Sequence, residues 1–124
     1  MNLNQVTLPV RDLAIAIDFY QRLGFKLIVR SDQYARFECP EGDATFSLAL
    51  DLDNFNNGAT VYFESAELDH WVNELKARGI SFAQEPTDER YLWREAILLD
   101  PSGNRIKLYW AGENRKNPPW KIKD

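Results

Sequence analysis

Ser47 and Lys107 are the residues best suited to covalent chemistry, because a lysine amine that sheds its proton in a dry pocket can activate a hydroxyl as a nucleophile. Nothing in the sequence orients one toward the other, and two polar side chains with no joint role is the simpler account. Glu38, Glu64 and Glu95 fall in strand-like runs and could gather around a hard cation if the strands met. Surface or salt-bridge roles are the commoner use of such carboxylates. The one histidine, His70, lies beside the apolar stripe of its helix rather than on it, and is expected to face solvent instead of ligating a metal. The one cysteine, Cys39, shares a strand-like run with Ala35 and Phe37 and reads as a small buried hydrophobe, not a nucleophile.

These side chains are carried by two halves that repeat. At an offset of about 55 positions, Val6 and Leu8 fall on Val61 and Phe63, Leu13, Ala16, Ile17 and Tyr20 fall on Leu68, Trp71, Val72 and Leu75, and Gly24 falls on Gly79. Each half reads as strand, helix and three strands. The first has strands at 4–10, 25–30, 34–39 and 45–50 and a helix at 13–23. The second has strands at 60–64, 81–84, 92–99 and 105–110 and a helix at 66–78. Both helical stripes follow the i, i+3, i+4, i+7 spacing of a face that must pack on a sheet. Asp12 and Ser65 stand at the expected N-caps, and Gly24 and Gly79 at the expected ends. The run Asp100-Pro101-Ser102-Gly103-Asn104 predicts a tight hairpin with positive φ at Gly103, matched in the first half by Pro40-Glu41-Gly42-Asp43. The Asn- and Asp-rich run 51–58 reads as loop. Pro86, Thr87 and Asp88 read as a break before the seventh strand, in a longer loop than its first-half counterpart and therefore a candidate lid.

At 124 residues, 44% hydrophobic and 13% aromatic, the chain can bury a core and is expected to be one domain. Its modules are expected at about 1–52 and 58–112, with a C-terminal tail at 113–124. A net charge of −4 argues against a nucleic-acid partner, which would require a basic stripe. Basic residues cluster only in the tail, as Arg115, Lys116, Lys121 and Lys123. In that tail Pro118-Pro119 predicts an extended path, and Trp120, costly to leave in water, is expected to pack on something. A single cysteine allows no internal disulfide, and no apolar run of membrane length opens the chain, so a cytoplasmic protein with no membrane partner is expected.

The opening VTLPVRDLAIAIDFYQRLGF, the paired halves and the closing DPSGNRIKLYW resemble the vicinal oxygen chelate superfamily, which includes glyoxalase I, extradiol dioxygenases, fosfomycin-resistance proteins and bleomycin-resistance proteins. The resemblance extends to about Trp110. It implies an α+β fold of two βαβββ modules forming a half-open, glyoxalase-like barrel around a cavity, usually within a homodimer. Metal-dependent relatives take ligands from four strand positions, which fall here on Gln5, on Ser47 (or near Ala49 with a one-residue slip), on Thr60 and on Lys107. Gln5 can offer a neutral oxygen, as in some glyoxalases. Lys107 stands where glutamate is usual; its ammonium has no lone pair to give and repels a divalent cation. No metal and no other cofactor is therefore expected.

Strand parity then selects the cavity wall. If Val6, Leu8 and Val10 pack under the first helix, Gln5, Thr7 and Pro9 face the other way. The same alternation turns Ser47 and Ala49, then Thr60, Tyr62 and Glu64, then Lys107 and Tyr109 toward the cavity, with Arg36 joining if Phe37 and Cys39 are core. The seventh strand is apolar on both faces from Ala96 to Leu99, which leaves its phase open, and with it whether Trp93 or Arg94 points inward. The expected ligand-binding set is Gln5, Thr7, Arg36, Ser47, Thr60, Tyr62, Trp93, Lys107 and Tyr109, with no catalytic residue among them. An aromatic wall with a few polar groups suits a small molecule. Arg36 and Lys107 favour a planar or anionic one over a cation. Metal-free binding or sequestration of such a ligand is the expected function. The alternatives are a metal-dependent lyase, isomerase or dioxygenase of the same superfamily, and a dimeric scaffold whose own side chains fill the cavity.

Overall fold

The computed structural model describes residues 1–53 and 57–123. Residues 54–56 of the linker expected at 51–58, and Asp124 at the end of the tail, lie outside the described residues. The chain divides into two compact units, one of residues 1–59 with 100–104 and one of 60–99 with the chain from 105 on.

In the first unit the order is β1 (Gln5–Val10), α1 (Leu13–Leu23), β2 (Lys26–Arg30), β3 (Tyr34–Glu38) and β4 (Thr45–Leu50). Its sheet runs β1-β4-β3-β2, with β1 parallel to β4 and the other pairs antiparallel. The side chain of Asp12 accepts a hydrogen bond from the Ile15 amide at 3.0 Å, satisfying one of the helix's free donors, and Gly24 ends the helix at φ 112°. The buried stripe Leu13, Ala16, Ile17, Tyr20 and Leu23 packs with Leu8, Val10, Ala35, Phe37, Phe46 and Leu48. Each of the Leu, Ile, Val and Phe side chains removed from water stabilises the fold by about 1.5–3 kcal/mol before entropy is subtracted.

The expected turn at 100–104 forms, with Gly103 at φ 89° and its amide bonded to the Asp100 carbonyl at 2.9 Å. It is also a structural part of this unit. The Tyr20 hydroxyl donates to Asp100 Oδ2 at 2.7 Å, Asn104 Nδ2 donates to the Pro9 carbonyl at 2.7 Å, and the Arg11 amide donates to Ser102 Oγ at 2.9 Å. Asp100 and Asn104 are both buried, so these bonds satisfy groups that water cannot reach.

The second unit repeats the order as β5 (Thr60–Glu64), α2 (Leu68–Ala77), β6 (Gln84–Asp88), β7 (Arg94–Leu99) and β8 (Arg105–Trp110), followed by a short 3-10 helix (Gly112–Arg115). Its sheet runs β5-β8-β7-β6, with β5 parallel to β8. The fold is therefore α+β, two βαβββ modules with two four-stranded mixed sheets, neither closed into a barrel.

Several expectations are corrected in this unit. Ser65 does not cap α2: its amide continues the strand ladder to the Tyr109 carbonyl while its hydroxyl closes a turn on the Glu67 amide at 3.1 Å, and the helix starts only at Leu68. The sixth strand is not at 81–84 but at Gln84–Asp88, and includes Pro86. It is an edge strand with a register shift between Gln84 and Thr87, where a missing amide is tolerated. The lid expected at 86–88 is thus a strand. The tail does not run extended through Pro118-Pro119: Lys121 N bonds to the Pro118 carbonyl at 3.0 Å, a turn that the fixed φ of Pro119 favours. Trp120 stays 57% exposed rather than packing within the chain. Among the described residues no helix is long and apolar enough to cross a membrane.

Candidate functional site

On the first unit, the sheet face away from α1 carries a connected polar row. Register places Gln5 beside Thr45, and both Thr7 and Arg36 beside Ser47. Ser47 is fully buried. Gln5 Nε2 donates to Ser47 Oγ, and Thr45 Oγ1 donates to Gln5 Oε1. The Tyr34 hydroxyl lies 2.6 Å from Ser47 Oγ and accepts from Arg36 Nε at 2.9 Å, with the guanidinium 5.4 Å from the Tyr34 ring centre. The bond to Ser47, aided by the Arg36 charge and opposed by burial, holds the Tyr34 hydroxyl below its ordinary pKa. Gln5, Ser47 and Arg36 are therefore brought together, and Thr7 shares their face. Tyr34 was outside the expected set, yet it is legible: two residues before Arg36, it falls on the same side of the pleat.

On the second unit, the face away from α2 carries aromatic rings over an ion pair. Glu95 stands opposite Tyr109 and Ile97 opposite Lys107, while Ala96 and Leu98 pair with Leu108 and Ile106 in the core. This settles the phase of the seventh strand. Trp93 turns to the face of Tyr109, and Arg94 turns away, donating to Asp69 on α2 through Nε at 3.0 Å and Nη2 at 3.1 Å.

The Trp93 ring stacks on Tyr109 with centres 4.7 Å apart and planes 22° apart, and Tyr62 stands edge-on to both at 6.0 and 5.6 Å. Tyr91 meets Trp93 edge-on at 5.9 Å. Beneath them Lys107 Nζ lies 3.3 Å from Glu95 Oε1 and 5.5 Å from the Tyr62 ring centre, and the Tyr91 hydroxyl donates to the same Oε1. Burial, reinforced by the Glu64 charge, raises the Tyr109 hydroxyl pKa; desolvation and the bond to Glu95 raise that of Tyr91. Tyr62, Trp93, Lys107 and Tyr109 thus form one cluster, and Thr60 shares their face at the start of β5. Glu95 and Tyr91 were outside the expected binding set. Glu95 could be reached only through the phase of β7, which its apolar run concealed.

The remaining candidates for chemistry are engaged elsewhere. Glu64 Oε2 accepts from the amides of Ala111 and Gly112 at 2.9 and 3.0 Å, and Oε1 lies 3.8 Å from Arg115 Nε. His70 has its side chain 72% exposed beside Glu74. Cys39 lies just past β3, half-buried, its thiol pKa raised by burial, which makes it a poor nucleophile. Ser47 and Lys107 each have partners within their own unit.

The four positions where the resemblance puts metal ligands hold a carboxamide already bonded at both ends, a buried serine with two partners, a threonine and an ion-paired ammonium. These residues do not fit a divalent ion. Among the described residues no group of three or more His, Cys, Asp or Glu could hold one either.

Comparison with known proteins agrees with this architecture. The family model described as Glyoxalase/Bleomycin resistance protein/Dioxygenase superfamily matches residues 2–108. An uncharacterized protein of Mycolicibacterium smegmatis is 32% identical over 106 residues, 84% of this chain and 89% of that protein. A glyoxalase/bleomycin resistance protein/dioxygenase from Nocardioides superposes with a TM-score of 0.78 at 21% identity, over 99% of this chain and 90% of that one. Lactoylglutathione lyase from Agrobacterium tumefaciens gives 0.74 at 19% identity, over 98% and 97% of the two chains. A bleomycin-binding protein complexed with bleomycin gives 0.71 at 22% identity, over 89% and 98%. At these identities the solved structures show a shared fold.

Proposed function

We propose that this chain, which belongs to the Glyoxalase/Bleomycin resistance protein/Dioxygenase superfamily, binds a small planar molecule on the aromatic face of its second unit, without a metal and without catalysing a reaction on it. The observation that carries this reading is the ring cluster itself. Tyr62 and Tyr91 stand 45% and 41% exposed against Trp93 and Tyr109, which leaves aromatic surface open where a folded chain would normally bury it. A flat ligand gains by stacking there, over polar groups that orient it. The metal-free part of the reading is supported by the donor set, in which Lys107 replaces an acid and is itself paired with Glu95.

That same pairing moves the reading away from an anionic ligand. Lys107 is not a free cation: an anion would compete with Glu95 for it, so planarity is the property this site rewards. The reading also takes the protein as a cytoplasmic homodimer, the assembly the resemblance implies, and light scattering at twice the chain mass of 14.4 kDa would support the dimer.

Titration with a panel of bicyclic aromatics, followed by calorimetry and tryptophan fluorescence, tests the binding. A stacked ring contact is worth about 0.5–1.5 kcal/mol beyond its buried area, so Trp93→Leu should weaken binding about three- to tenfold. Unchanged affinity in Trp93→Leu, or no binding by any member of the panel, would remove the basis for this reading.

A further inference from the structure

The carboxylate of Glu95 is used on one side only. Oε1 accepts from the Tyr91 hydroxyl and lies 3.3 Å from Lys107 Nζ. Among the described residues, Oε2 is buried and has no hydrogen-bond partner. Glu95 as a whole is 2% exposed, so this oxygen has given up water without gaining a donor. An N–H or O–H delivered to it would recover the lost interaction, and the bond would be charge-assisted.

The location of that oxygen gives it meaning. Glu95 stands opposite Tyr109 across the β7 and β8 pairing, on the face of Trp93 and Tyr62. Tyr91, which touches the other carboxylate oxygen, is 41% exposed and comes from the loop 89–93. Its neighbour Leu92 has φ 67°, a conformation that leucine rarely adopts. The acceptor is therefore a buried oxygen on the aromatic face, and its companion oxygen is capped by an exposed side chain from a turn held against its local preference.

Resting on the ring-binding reading above, we infer that Glu95 is the specificity-determining residue of this site, its free Oε2 selecting flat rings that carry an amino or ring N–H donor over rings of the same shape that carry none. Charge balance sets the class further. Lys107 already compensates Glu95, so the donor need not be cationic, and a neutral aminated heteroaromatic suffices. A carboxylate on the ligand would face Oε2 and be repelled.

Calorimetric titration of the full chain with 2-aminoquinoline and with 2-methylquinoline, at a pH where both are neutral, tests this directly because the two differ by an amino group in place of a methyl. The amino compound should bind at least tenfold tighter, a difference of about 1.4 kcal/mol. In the double variant Glu95→Leu/Lys107→Met, which leaves no unpaired charge, the two affinities should converge. Equal affinities in the wild type would overturn the role of Glu95 while leaving ring binding intact, and no binding by either probe would overturn both. A preference that survives in the double variant would place the acceptor elsewhere and refute the inference. Should that variant not fold, proton NMR of the bound amino probe in the wild type decides: slowly exchanging amino protons with contacts to Tyr91 or Tyr109 are expected, and rapidly exchanging ones would defeat it.

Discussion

Removing the charge of Lys107 while leaving Glu95 in place strikes the site at its centre. The pair is 3.3 Å apart, with the Lys107 side chain 14% and that of Glu95 2% exposed. At an effective dielectric of about 20, unit charges at that separation attract by about 5 kcal/mol. Several kcal/mol of desolvation per ion offset most of it, so the pair contributes little beyond an apolar pair of the same size. Lys107→Met keeps the desolvation of Glu95 and discards its compensation, which costs about 3–5 kcal/mol. The lower figure applies here, because Tyr91 still donates to Glu95 Oε1. With about 2.1 cal/mol/K of unfolding entropy per residue over 124 residues, a loss of about 3 kcal/mol lowers the thermal midpoint by about 12 °C. Glu95→Leu/Lys107→Met replaces both ions by apolar side chains and should return to within about 1–2 kcal/mol of the wild type. Circular dichroism melts and urea titrations of the two variants read this out. A single variant that melts within about 3 °C of wild type, or a double variant no more stable than the single, would show that Lys107 and Glu95 are not a buried, mutually compensating pair.

Tyr20→Phe should cost about 1.5–2 kcal/mol, since it removes a buried hydrogen bond to a charged acceptor that keeps its other donors. Burial, then the charge and hydrogen bond of Asp100, push the Tyr20 hydroxyl well above its ordinary pKa of 10.0. As pH rises past that value the unfolded chain releases this proton first, so wild-type stability should fall from there upward and the phenylalanine variant should lack that slope; parallel pH profiles would contradict this. Asp12→Ala should destabilise by about 1 kcal/mol in urea titration, through the lost bond to the Ile15 amide. Leu92→Gly relieves the positive φ and should raise stability by about 0.5 kcal/mol after glycine's extra unfolded-state entropy is subtracted; a loss of similar size would mean the exposed Leu92 side chain makes contacts that matter.

Local rules carried far along this chain. The stripe Leu13, Ala16, Ile17 and Tyr20, bracketed by Asp12 and Gly24, has one helical solution, and α1 spans Leu13–Leu23 as that spacing predicts. β4, β5 and β8 also have their predicted bounds, because alternation and flanking turns agree. Where a second interaction competed with the local signal, the prediction failed. Ser65 stayed in the strand ladder instead of capping α2, and Pro86 was taken into an edge strand because its missing amide there goes unmissed.

The candidate site divides along the same line. Parity alone put Gln5, Arg36 and Ser47 on one face and Tyr62, Lys107 and Tyr109 on another, since alternation along a strand is a property of the backbone. Which residues of β7 join them depended on pairing with β8, for a run apolar on both faces has no phase of its own. The amino-acid sequence by itself therefore determined the two βαβββ halves and, outside β7, which strand residues share a face. Only the tertiary structure decided that Lys107 is neutralised by Glu95 and that, among the described residues, one oxygen of Glu95 is buried without a hydrogen-bond partner, because both depend on the distance between side chains on neighbouring strands.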